Sequence, residues 1–126
     1  MILDTCFLID LQKEFRSGNP GSATAFLNRE SDTQLYISVI SETEFLEGFA
    51  DSDVGERLLR CYDRIEIDSR IAKQAARIRR KLRREGKLIG DFDILIAATA
   101  LVAEQPLVTT DQEHFSRVPE LEIIKY

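Results

Sequence analysis

Leu88-Ile89-Gly90-Asp91-Phe92-Asp93-Ile94-Leu95-Ile96-Ala97-Ala98-Thr99-Ala100-Leu101-Val102-Ala103 places two acids at the head of a run that is otherwise almost wholly apolar. A helix that is apolar on every side belongs inside a fold, so this stretch is expected to form a central buried helix. At about 100° per residue, Asp93 shares a face with Ile96, Ala97 and Ala100, while Asp91 lies roughly opposite with Leu95, Ala98 and Val102. The two acids therefore cannot serve one site through this helix. Asp91 is placed to cap the helix and to complement its positive end. Asp93 heads a buried face lined by small residues, and a desolvated carboxylate is costly unless a second group compensates it. That group would be an arginine, a helix end or a metal ion.

Composition narrows the choice. The chain has 126 residues, 44% of them hydrophobic, which suits a single domain spanning 1–126 around one core. Cys6 and Cys61 have no neighbouring cysteine or histidine, so neither a disulfide framework nor a zinc site is indicated. Both are expected as small buried side chains. The chain opens Met1-Ile2-Leu3-Asp4 without an export pattern, and its longest apolar stretch is well short of the roughly 20 residues that span a bilayer. A cytoplasmic protein without membrane contact is expected.

The net charge of −5 argues by itself against a nucleic-acid partner, but its distribution does not. Residues 70–87 hold nine of the 17 lysines and arginines and a single acid, Glu85, which makes this segment +8 and leaves −13 for the remainder. Such segregation suits a basic strip facing a polyanion, with acids gathered elsewhere. An exposed, solvated helix face would look the same on charge alone.

Along the chain, Met1-Ile2-Leu3, Leu35 to Val39, Arg64 to Ile67, Leu107 to Thr109 and Leu121 to Ile124 read as strands. Helical segments separate them. The first follows Asp4-Thr5, a second, which Ser22 can cap, follows the break Gly18-Asn19-Pro20-Gly21, and a third opens at Ser41-Glu42-Thr43-Glu44. A short one covers Val54 to Tyr62, and a basic one, capped by Asp68 or Ser69, carries Ile71, Ala75, Ile78 and Leu82 at i, i+4, i+7 and i+11. Alternating strands and helices imply an α/β fold, with a mainly parallel sheet of four or five strands between two helical layers. Right-handed crossovers bring the carboxyl ends of the strands to one rim.

Four acids fall on that rim from four separated segments. Asp4 ends the first strand, Glu44 lies in the helix after the second, Asp93 heads the buried helix and Asp111 follows the fourth strand. Ser41 and Glu44 also match an S-x-x-E capping box, so Glu44 is open to a capping reading as well. Four adjacent carboxylates cannot all ionise without a countercharge. An all-oxygen donor set suits a hard divalent ion such as Mg²⁺ or Mn²⁺, and such an ion serves phosphodiester hydrolysis. Arginines and lysines of the basic helix would hold the nucleic-acid backbone, with Arg79, Arg80, Arg83, Arg84 and Lys87 as candidates. Covalent chemistry lacks a base, because His114 is the only histidine and is expected to pack or to face solvent.

Four motifs now stand in order: Ile2-Leu3-Asp4-Thr5 with Leu8-Ile9, Ser38 through Glu44, Arg84 to Gly90 running into Phe92 to Ala98, and Leu107 to Asp111 followed by His114-Phe115 and Val118 to Leu121. In that order and spacing the sequence resembles the PIN-domain ribonucleases, and among them the VapC toxins of prokaryotic toxin–antitoxin pairs. The resemblance covers almost the whole chain and implies a PIN-like α/β/α sandwich that cleaves RNA with Mg²⁺ or Mn²⁺. It implies Asp4, Glu44 and Asp93 as core metal-binding acids and Asp111 as a more variable fourth. Thr5, Ser38 and Thr109 are the supporting hydroxyls. A VapB-like antitoxin and a homodimer are the implied partners. Two other readings compete: an aspartyl phosphoacceptor centred on Asp4, and a non-catalytic module that binds RNA or protein.

Overall fold

Ile2 and Leu3 sit at the middle of a five-stranded sheet and are both fully buried. The computed structural model describes residues 1–126, apart from the side chain of Ser52. Its strands are β1 (Ile2–Leu3), β2 (Tyr36–Ser38), β3 (Asp63–Ile65), β4 (Leu107–Val108) and β5 (Ile123–Ile124), in the spatial order β3-β2-β1-β4-β5. Every pairing is parallel, and β1 aligns Ile2 with both Tyr36 and Leu107, and Leu3 with both Ile37 and Val108. Side chains alternate across a strand, so Ile2 and Leu107 enter one apolar cluster while Leu3, Ile37 and Val108 enter the other. A parallel sheet covered on both faces needs apolar residues on both, which explains the unbroken apolar dipeptides.

Helices α1 (Thr5–Ser17), α2 (Ser22–Arg29), α3 (Val39–Glu47) and α4 (Ser52–Leu59) cover the second cluster with Phe7, Leu8, Ala23, Phe26, Phe45 and Leu59. Phe7 meets Phe26 edge to face, with ring centroids 5.5 Å apart. Helices α5 (Ser69–Arg84), α6 (Asp91–Val102) and the short α7 (Gln112–Phe115) close the other side. The expected stripe Ile71, Ala75, Ile78 and Leu82 is buried, and Asp68 caps α5 by accepting from the N–H groups of Arg70 and Ile71 at 2.9 and 3.1 Å. The expected α/β/α sandwich is therefore present, with five strands, all parallel.

Three helix caps differ from the sequence expectation. Helix α3 begins at Val39, because the buried Ser38 hydroxyl accepts the Ser41 N–H at 3.0 Å. The capping box from Ser41 is thus not used, and Glu44 is free of it. Helix α6 begins at Asp91 with Gly90 as its cap residue, and Asp91 makes no capping bond but pairs with Arg79 of α5. Its charge still lies in the first turn, where it complements the helix dipole.

Helix α2 borrows its cap from another helix. Glu14 of α1 accepts from the N–H groups of Ala23 and Thr24 at 3.0 and 2.8 Å and from the Thr24 hydroxyl at 2.6 Å. Gly21 allows this approach, since a Cβ there would stand 2.6 Å from Glu14 Oε1. Burial opposes ionisation of Glu14 more than any other single influence. The Thr24 hydroxyl and the N–H groups of Thr24, Gly21 and Ala23 together outweigh it, bringing the carboxyl down to about 2.

Candidate active site

The strand order turns at β1, which has β2 on one side and β4 on the other. A crevice at the carboxyl ends of such strands is where open α/β sheets hold ligands. Asp4 follows β1 directly and Thr109 follows β4 directly, so both enter the crevice from its floor.

Asp4 is 5% exposed, and its two oxygens are held apart by donors. Oδ1 accepts the Thr5 N–H at 2.7 Å, while Oδ2 accepts from the Thr109 hydroxyl at 2.7 Å and the Cys6 thiol at 3.0 Å. The Thr5 hydroxyl donates to Glu44 Oε2 at 2.5 Å. One threonine therefore ties Asp4 to Glu44 although they lie 40 positions apart. Glu42 points elsewhere, bonded to Arg64 at 2.6 Å, which leaves Glu44 as the acid that α3 gives to this rim.

Asp93 completes the group from the first turn of α6. Burial is the main cause that raises its pKa above the ordinary carboxylate range. The charges of Asp4, Glu44 and Asp111 raise it further, and His114 opposes them. Asp93 thus faces the charges of Asp4, Glu44 and Asp111 at a single rim. Gly90 leaves room here, because a Cβ at that position would meet Asp93 Oδ2 at 3.2 Å.

Asp111 is engaged differently from the other three. Its Oδ1 accepts the His114 N–H at 3.1 Å as the cap of α7, and its Oδ2 stands 2.8 Å from His114 Nδ1. The same ring nitrogen is 3.9 Å from Asp93 Oδ2. His114 was expected to pack or to face solvent and is instead a member of the acidic group. Cys6, expected as a buried apolar side chain, is half-buried and has its sulfur against Asp4 and, at 3.3 Å, Thr109. Cys61 is exposed. The spacing Asp111-x-x-His114, which lets a capping carboxylate reach the ring three residues on, is the signal that could have placed His114. Nothing in the sequence marks Cys6.

Of the supporting hydroxyls, Thr5 and Thr109 touch the acids and Ser38 does not. Ser38 acts through its cap on α3, which sets where Glu44 emerges. Among the basic candidates, Arg79 is taken by Asp91, while Arg80, Arg83, Arg84 and Lys87 are exposed.

The oxygen donors suit a hard divalent cation in kind. They do not form a closed cage: among the described residues, no three His, Cys, Asp or Glu side chains converge tightly enough to hold an ion. Asp4 and Glu44 are turned onto hydroxyl donors and Asp111 onto His114. A groove of about 570 Å³ between α1, α2, α3 and α4 is apolar and lined by residues such as Leu8, Phe15, Phe45 and Leu58. None of the four acids lines it, so it is not the place for this chemistry.

The rim geometry agrees with kinship. The PIN domain family matches residues 1–121, and the chain belongs to that family. Within it the chain groups with the VapC ribonucleases. It is 30% identical to Ribonuclease VapC1 of Methanocaldococcus jannaschii over 95% of this chain and 82% of that protein. It is 31% identical to Ribonuclease VapC of Rickettsia bellii over 98% and 94%. The DNA-bound VapBC structure from Salmonella typhimurium shares the fold with a TM-score of 0.84 at 24% identity, covering 98% of this chain and 96% of that one. No helix among the described residues is long and apolar enough to cross a membrane.

Proposed function

We propose that the protein is an endoribonuclease that hydrolyses RNA phosphodiester bonds with Mg²⁺ or Mn²⁺, and that it is the toxin of a type II toxin–antitoxin pair. The supporting observation is the gathering of Asp4, Glu44, Asp93 and Asp111 at one rim, where burial and mutual repulsion push Asp93 up. Asp4, Glu44 and Asp93 would hold the cation, with Asp111, which bonds His114, as the fourth acid. A divalent ion bound there supplies activation of water and neutralisation of a phosphoryl oxygen.

The remaining work falls to the chain itself. Thr109 and Thr5 fix the directions of Asp4 and Glu44. Exposed Arg80, Arg83, Arg84 and Lys87 hold backbone phosphates, which position RNA without reading its sequence. The protein's proposed partners are a VapB-like antitoxin, in line with the VapBC complexes of similar fold, and a second copy of the chain. The phosphoacceptor reading fits less well, because Asp4 Oδ2 is occupied by Thr109 and Cys6 and no lysine bonds to any of the four acids among the described residues.

The test is RNA cleavage by purified protein. With Mg²⁺ or Mn²⁺, RNA should be cut at a small set of sites, mapped by their new 5′ ends, and a chelator should stop the reaction. Folded protein that leaves RNA intact with both ions would overturn the proposal.

A further inference from the structure

Helix α5 carries its cations on two flanks rather than one. Relative to the buried stripe of Ile71, Ala75, Ile78 and Leu82, residues Arg79 and Arg83 lie on one side, and Arg79 is already held by Asp91. Arg77, Arg80, Lys81 and Arg84, at i, i+3, i+4 and i+7, lie on the outer face and are all exposed. Together with Glu85 they line a shallow cleft of about 480 Å³.

Lys81 is met by Glu85 at 3.7 Å. Arg77, Arg80 and Arg84 have no carboxylate within ion-pair distance among the described residues. The chain has 22 acids against 17 lysines and arginines, so partners are not scarce. Three neighbouring guanidinium groups left without carboxylates repel one another, and an external polyanion relieves that repulsion.

We infer that this outer face, to which Arg80 and Arg84 belong, holds backbone phosphates of RNA lying beyond the stretch being cut. The inference rests on the proposed ribonuclease activity. The face is turned away from α6, which carries Asp93, and a helix with its side chains is about 10 Å across. A phosphate seated on it is therefore not the scissile one. From Arg77 to Arg84 the helix rises about 10 Å, room for two or three phosphates, and guanidinium groups bind phosphate in a planar, forked geometry that ammonium groups lack. Phosphate contacts add affinity without sequence information, so this surface favours RNA that extends past the cleavage site over a minimal fragment.

The experiment compares binding of two RNAs, a hairpin and an oligonucleotide of its loop alone, measured with chelator present so that both stay intact. In the triple variant Arg77→Gln, Arg80→Gln, Arg84→Gln, hairpin affinity should fall about 10-fold or more, and the slope of log K against log salt should flatten by about 2. The hairpin's advantage over the loop fragment should collapse, with the melting temperature little changed. Arg80→Gln alone should flatten the slope by about 1, which keeps the test open if the triple variant folds poorly.

Wild-type hairpin affinity and salt slope in the folded variants would overturn the inference. So would equal weakening for both RNAs, which would place these arginines at the cleavage stretch, or loss of binding to an acidic polypeptide such as polyglutamate with hairpin binding intact. Failure of the ribonuclease reading looks different: wild-type protein would leave the hairpin uncut with Mg²⁺ and Mn²⁺, whatever the binding measurements give.

Discussion

The Thr109 hydroxyl donates to Asp4 Oδ2 at 2.7 Å, joining the ends of β4 and β1 across 105 positions of the chain. Thr109 also accepts the Asp111 N–H at 3.0 Å and is itself fully buried. Replacing it by valine keeps the shape but leaves a buried carboxylate oxygen and a backbone N–H without this partner, a loss of about 1–3 kcal/mol. Thr109→Val should therefore lower both the melting temperature and the cleavage rate, and Thr109→Ser should restore most of each. A valine variant with wild-type turnover would show that Asp4 needs no such anchor.

Asp111 and Asp4 should respond unequally to the same substitution. Asn can still accept the His114 N–H and cap α7, so Asp111→Asn should lower cleavage by about 10-fold or less, whereas Asp4→Asn should cost about 100-fold or more. Steady-state rates on one RNA, with folding checked by circular dichroism, decide this. Equal losses at Asp4 and Asp111 would make Asp111 a full member of the metal-binding set.

Asp93 carries a stability cost that a cation should relieve. Its folded-state pKa is raised, by burial first and then by Asp4 and the other acids. The folded state therefore holds its proton more tightly than the unfolded state does. Stability contributed by the protonated form is lost as pH rises from the ordinary carboxylate range through the raised value. At neutral pH in chelator, Asp93→Asn should melt above the wild type. Adding Mn²⁺ should raise the wild-type melting temperature and move the variant much less, since a ligand of the native state stabilises it. An equal Mn²⁺ shift in both proteins would place the ion elsewhere.

The opposite sign holds at Glu14. Its pKa falls from 4.5 to about 2 on folding, because the donors at the start of α2 outweigh burial. The stability it contributes is fully present above the unfolded value and is lost as pH drops from about 4.5 towards 2. Glu14→Gln should flatten the acid limb of the melting-temperature profile in that window and leave the profile near neutrality shallow. An unchanged acid limb would mean that Glu14 does not cap α2 in solution.

Much of this is legible in the sequence. The buried faces of α5 and α6 follow from apolar spacing, and the meeting of Asp4, Glu44, Asp93 and Asp111 follows from strand ends reaching one rim. What stays hidden is which of several side chains a helix end or a charge takes as its partner. Glu14 caps a helix that begins eight residues later, Asp91 prefers Arg79 of another helix to its own helix end, and Ser38 takes the Ser41 N–H that the S-x-x-E pattern would give to a later start. Cys6 and His114 were missed because each looks ordinary until β1 and β4 bring Thr109 and Asp111 beside them.

Single-turnover cleavage of RNA by Asp93→Asn protein in saturating Mg²⁺, measured beside the wild type at equal, verified fold, decides whether these carboxylates act on RNA. The predicted result is a loss of about 100-fold or more in rate, with RNA still bound through the basic helix. Cleavage by the folded variant at the wild-type rate, at the same sites, would contradict the claim that these converging carboxylates hold the ion that cuts RNA.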